Sequence, residues 1–170
     1  GHILISPLYE ESMFKQEHRW NVSTATIVDG ILSLISNQPK RDRVEMGKTP
    51  LFGSRDRKML KDIKDSSPLR SKYLNYDDDI IFNIVLSFFS SVSKLLWIDS
   101  TPNSYITKTV GIQGLFEFLK FLLKKFEEPV NFDKYFENVK TVNFSDQFFQ
   151  ASGIGKTRVK NTLLFANGLK

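Results

Sequence analysis

Near the C-terminus the stretch Gln150–Asn161, QASGIGKTRVKN, combines two glycines with Lys156, Thr157, Arg158 and Lys160. A phosphate-binding loop of the nucleotide-hydrolysing kind reads G-x-x-x-x-G-K-[ST]. Gly155-Lys156-Thr157 matches its end, but Gln150 stands where the first glycine belongs. Such a loop follows a buried strand and works with an acidic residue on a neighbouring strand that helps to hold Mg²⁺. No parallel-sheet pattern precedes this one and thirteen residues follow Thr157, so nucleotide hydrolysis is not expected. The same letters suit a helix-hairpin-helix. There Gly153 and Gly155 let backbone N–H groups approach a DNA phosphate, the second helix opens with its positive end towards the anion, and Lys156, Arg158 and Lys160 add charge. The other reading is a plain tight turn, in which both glycines supply positive φ and Ile154 enters the core.

A second candidate is the run from Lys40 to Lys64. It holds nine Lys and Arg against four acids, a local +5 that equals the net charge of the whole 170-residue chain. Lys40, Arg41, Arg43, Arg55, Arg57 and Lys58 are its candidate backbone contacts, with Pro50 and Phe52 interleaved. Runs of this kind attract nucleic acid, or they are merely a solvated loop. The triplet Asp77-Asp78-Asp79 reads as the acidic first turn of a helix, where carboxylates complement the dipole, rather than as a metal or acid–base cluster. His18 has no evident catalytic partners in sequence. There is no cysteine, so disulfides, thiolate metal sites and cysteine nucleophiles are excluded. No cofactor and no metal are expected, and a reducing, cytoplasmic setting fits.

These residues need elements to hold them. Gly1-His2 has the look of a cleaved-tag remnant, leaving 3–170 as one helical domain, read as the C-terminal part of a longer protein. Pro7 to about Arg19 suits a short helix. Ser23 is an N-cap for a helix with Ile27, Ile31, Leu34 and Ile35 on one face, ended by Asn37 and Pro39. Residues 38–54, with two prolines and two glycines, read as a mobile loop. Arg55 to Ile63 suits a basic helical turn, and Ser67-Pro68 another helix start. Two long helices should dominate the core. In Tyr76–Ile98 apolar residues surround most of the axis, which predicts deep burial and, given Asn83, the serines and Lys94, not a membrane span. Val110–Phe126 carries an apolar stripe (Ile112, Leu115, Phe116, Leu119, Leu122, Leu123, Phe126) opposite Gln113, Glu117, Lys120 and Lys124. Short helices capped by Asn131 and Ser145 follow. A last helix carries Val159, Leu163 and Leu164 inward and ends at Gly168. No alternating strand pattern of useful length occurs. The expected fold is all-α, one compact domain of about seven helices, two of them long and buried.

The stretch TPNSYITKTVGIQGLFEFLKFL (Thr101–Leu122), with WNVSTATIVDGILSLI upstream and SGIGKTRVKN downstream, resembles the C-terminal part of DGQHR-domain proteins. These are bacterial proteins, some associated with DNA phosphorothioate modification and other DNA-defence loci. Their N-terminal domain, similar to the ParB/sulfiredoxin-like fold, carries an Asp-Gly-Gln-His-Arg motif, and a mainly helical region follows it. The resemblance covers the chain from about Trp20 onward. The naming motif is absent, because Asp29-Gly30 is followed by Ile31-Leu32. No activity is therefore carried over. What the resemblance implies is a non-catalytic helical module supporting DNA binding or assembly with other protein subunits. The alternative is a purely structural oligomerisation domain.

Overall fold

Ser23 lies in the extended region and its Oγ accepts the Thr26 N–H at 3.3 Å, which starts helix α1, Thr24–Ile35. The computed structural model describes residues 22–48, 56–126, 130–150 and 153–169. Among them it holds seven α-helices and no strand, so the chain is all-α. After α1 come α2 (Pro39–Met46), α3 (Arg70–Leu74), α4 (Asp78–Val92), α5 (Thr109–Lys125), α6 (Phe132–Glu137) and α7 (Gly155–Ala166). The helix expected at Pro7–Arg19 lies outside the described residues.

Helix α5 is the centre. Ile112, Leu115, Phe118, Leu119 and Leu122 are fully buried, and α7 and α1 flank the helix as its main partners. Both flanks approach closely because glycine stands at the contact. A Cβ on Gly114 would meet Val159 Cβ at 2.6 Å, and one on Gly30 would collide with the Phe116 ring. The expected wet face holds at Gln113 and Lys124 but not at half-buried Glu117 or at Lys120. That side chain is half-buried and donates to Asn37 Oδ1 at 3.2 Å, and burial pushes its ammonium pKa down.

An aromatic cluster joins α4 to α5 and α6. Phe88 meets Phe132 and Phe136 edge-on at 5.2 and 5.3 Å, and Phe89 meets Phe116 at 5.0 Å. The deep burial expected along the whole of α4 is found mainly in its C-terminal half, with Ile81 the one buried apolar residue of the first turns. Phe88 and Val92 are sealed, whereas Ile80 and Phe82 are 42% and 55% exposed. Helix α3 packs against α4 and Ile81 is buried, but Ile80 and Phe82 stay uncovered among the described residues, so apolarity here outruns packing. Beyond Val92 the helix widens into a π turn, Ser93–Trp97, in which the Ile98 N–H reaches back to the Ser93 carbonyl at 3.2 Å. Trp97 is buried there and Ile98 is exposed.

The loop expected over 38–54 is helical from Pro39 to Met46. Pro39, expected to end α1, opens α2, since a proline loses nothing at a position whose N–H has no helical partner. What fixes α2 is tertiary. Asp42 turns inward to an ion pair with Arg70, both side chains nearly sealed, and Arg70 also reaches the Ile35 carbonyl at 3.4 Å. Residues 49–54 of that expected loop lie outside the described residues. Helix α3 starts two residues past the expected Pro68. Asp65 takes the N–H groups of Asn37 and Ser67 at 2.7 and 2.8 Å, so the segment before Leu69 is a turn, not a helix start. The expected cap Ser145 is displaced by Asp146, which accepts the Phe148 N–H at 2.7 Å and supports only a 3-10 turn, Gln147–Phe149. Helix α7 buries Val159 and Leu163 and ends as expected at Gly168, φ 62°, with the Leu169 N–H on the Leu164 carbonyl.

Leu119→Ala should therefore cost about 2–5 kcal/mol in chemical denaturation. Lys124→Ala, on the exposed side of the same helix, should stay within about 0.5 kcal/mol. Equal losses would mean that the buried face of α5 has been assigned wrongly.

Candidate anion-binding surface

The α7 turn resolves into individual roles. Gly155 is buried, and a Cβ there would meet the Gln150 carbonyl oxygen at 2.6 Å, so its bareness serves backbone packing. Gly153 has nothing near it, and Ile154 is half exposed rather than in the core. Among the described residues no side chain caps α7. The element before the turn is the 3-10 turn Gln147–Phe149, not the first helix of a helix-hairpin-helix. Lys156 and Lys160 both reach Glu117, at 3.2 and 3.7 Å. Arg158 donates to the Phe148 carbonyl at 2.8 Å and lies 4.7 Å over its ring. Thr157 is half-buried. The cations at this turn are thus largely engaged with their own fold.

The second basic region is built differently. Helix α2 packs against the 3-10 turn Arg57–Leu60, which joins both halves of the run into one unit. On α2, Asp42 faces inward while Lys40 and Arg43, three residues apart, are exposed. Arg41 is half-buried, its nearest acid being Asp42 at 4.0 Å. Lys58, Lys61 and Lys64 are exposed on the adjoining segment. Lys40, Arg43, Lys58, Lys61 and Lys64 have no ion-pair partner among the described residues.

The acids of the same region are mostly occupied elsewhere. Asp42 answers Arg70, and Glu45 answers Lys48 at 2.8 Å. Asp56 accepts the Lys58 N–H and the Tyr76 hydroxyl, both at 2.8 Å, and these bonds, the first above all, hold its carboxyl below the usual value. Burial alone would raise Asp65, but hydrogen bonds from Ser67 and from the Asn37 N–H outweigh it and the net shift is downward. Asp62 is left exposed beside the lysines. Charge that alternates in sequence is therefore partly sorted in space: Asp42 is buried, Glu45, Asp56 and Asp65 are engaged, and the lysines are left exposed.

Of the other expected contacts, one falls outside the described residues and one is engaged within the fold. Arg55 lies outside the described residues. Arg57 is tied down: its guanidinium takes Asp78 with both forks, at 2.7 and 2.9 Å, and donates to the Tyr73 carbonyl at 3.0 Å. It also lies 4.0 Å over the Tyr73 ring and 4.8 Å over that of Tyr76. The Asp78 hydrogen bond is the chief reason its pKa is raised. Lys61 and Lys64 take its place among the exposed cations. They belong to the counted basic run, and the missing signal was which members of that run face outward.

No group of three or more His, Cys, Asp or Glu side chains that could hold a metal occurs among the described residues. A shallow cleft of about 180 Å³ lies at the end of α4, where Asp99, Ser104 and Asn143 meet an apolar floor. No protein-family model, curated protein or solved structure matches this chain.

The Tyr76 hydroxyl donates to Asp56, and this bond pushes its pKa above the ordinary 10.0. Folding thus favours the protonated phenol. The contribution of this bond is complete below the ordinary value and is lost as pH rises through the higher, folded one. A tyrosinate absorbance titration of the native protein should show a late alkaline component that Tyr76→Phe removes. An unchanged titration would contradict the bond.

Proposed function

We propose that this chain is a non-catalytic helical module that holds DNA through its phosphate backbone, with the α2 unit as the principal contact. One observation carries the reading: five exposed cations, Lys40, Arg43, Lys58, Lys61 and Lys64, stand without ion-pair partners among the described residues on one packed unit, while most of the neighbouring acids are turned inward or engaged. Phosphate contact needs fixed positive charge and little else, and it is indifferent to base sequence. The resemblance to DGQHR-domain proteins supports DNA as the anion and a modification or defence system as the setting. The α7 turn is a secondary contact in this reading, since Lys156 and Lys160 share Glu117.

The test is the salt dependence of binding to unrelated duplexes of equal length. Each phosphate neutralised contributes about −0.9 to the slope of log K against log salt. Replacing Lys40, Arg43, Lys58 and Lys61 by Ala should flatten that slope by about three to four units and weaken all duplexes alike. Lys156→Ala with Arg158→Ala should change it less. A wild-type chain that ignores DNA at low salt would end the proposal.

A second reading, assembly with another protein surface, is favoured by the exposed start of α4, where Ile80 and Phe82 face solvent beside half-buried Ile84 and Val85. Light scattering separates the two. If α4 is an interface, Phe82→Asp reduces the measured mass and leaves DNA affinity alone; a monomeric wild type counts against self-assembly.

A further inference from the structure

The two halves of the basic unit are separated in sequence by the segment that joins Met46 to Asp56, yet one residue touches both ends of it. The Tyr73 hydroxyl meets Met46 Sδ at 3.6 Å, at the last turn of α2, while its ring lies under the Arg57 guanidinium at 4.0 Å. Arg57 is then clamped from several sides. Asp78 takes both forks, the Tyr73 carbonyl takes Nη1, and the Tyr76 hydroxyl takes the Arg57 backbone N–H at 3.2 Å. Tyr76 does this from φ 63°, in the left-handed region where a side chain is disfavoured. Such a conformation persists when the surroundings over-determine it, and at Tyr76 the end of α3 closes by the Tyr76 N–H on the Tyr73 carbonyl and the Asp77 N–H on the Lys72 carbonyl, at 3.2 and 3.0 Å, while the hydroxyl holds Asp56 and Arg57.

We infer that Tyr73, Arg57 and Asp78 are positioning residues, which hold the α2 cations and the Lys58–Lys64 cations at one fixed separation and so favour a rigid polyanion, duplex DNA, over a flexible one. This rests on the reading of that surface as a DNA-binding one. Arg57 is spent on the clamp and is not itself a phosphate contact. Cations already held in place lose little freedom on binding, and the gain is largest when the partner's charges are also fixed. Single strands must be ordered first.

Asp78→Asn gives the clearest test, because electrostatics and positioning predict opposite signs. The substitution removes a negative charge and raises the net charge of the chain by one. A surface that works by charge alone would bind DNA more tightly. A surface that works by position would bind duplex more weakly, with a flatter salt slope. We expect wild type to prefer duplex over single strand by roughly tenfold, and Asp78→Asn and Tyr73→Leu to bring that ratio close to one. Asp78→Glu should restore part of it. In both disruptive variants amide exchange should quicken over 39–46 and 56–64 together, with α5 protection unchanged, which separates a released clamp from a failing fold. Unchanged or tighter duplex binding by Asp78→Asn at an unchanged slope would overturn the inference while the DNA reading stands. A wild type with no salt-dependent binding would overturn both.

Discussion

A buried guanidinium must find its counter-charge inside the protein, and Arg70 finds it in Asp42. Around that pair three segments have no freedom to be elsewhere. The end of α1 supplies the Ile35 carbonyl, α2 supplies the carboxylate, and α3 supplies the arginine. Leu69, the residue before, adds its N–H to the Leu34 carbonyl at 2.9 Å. Removing one partner of such a pair leaves an unanswered charge in a poor dielectric, which is far costlier than the pair is favourable. The pair acts as a registry device between helices too short to hold themselves, since eight and five residues are below the length at which an isolated helix is stable. It also decides the surface. With Asp42 committed inward, the remaining side chains of α2 turn Lys40 and Arg43 outward, and an ordinary mixed-charge stretch becomes a positive one.

The core and the surface thus rest on different kinds of contact. Around α5, complementarity of shape rules, with bare glycines on α1 and on α5 itself letting neighbours close in. Around α2 and the Arg57 turn, directed polar bonds rule: the forked arginine, the stacked tyrosines and the carboxylates that accept backbone N–H groups. Apolar packing tolerates few changes of volume, while a polar network tolerates few changes of partner.

This division explains what could be read in the sequence. The α1, α5 and α7 patterns were legible because burial imposes a helical repeat on apolar residues, and Ser23 and Gly168 mark their ends by local chemistry. The all-α class follows from those repeats. Helix α2 was not legible, because PKRDRVEM has no apolar stripe and is held by a partner 28 residues away. The α7 lysines were legible as residues but not as contacts, since Glu117 lies on another helix. The engagement of Arg57 was not legible for the same reason: nothing near it in sequence announces Asp78, 21 residues on.

Helix α4 misled in a more particular way, and beside the uncovered Ile80 and Phe82 its π turn is a cause. Counted at about 100° per residue from Val92, Trp97 would point away from the core face that Phe88 and Val92 define. The wider turn rotates less per residue and swings the indole back among its neighbours, so that Trp97 is sealed and Ile98 emerges instead. The helix therefore has two stripes out of phase, and projected on a single wheel they fill the circumference and look like an all-round apolar rod. In terms of chain length, the turn holds about one residue more than a regular helix would use over the same rise. That surplus residue sets the phase at which the chain leaves α4, and with it the direction from which the segment carrying Ser104 and Ile106 enters the core.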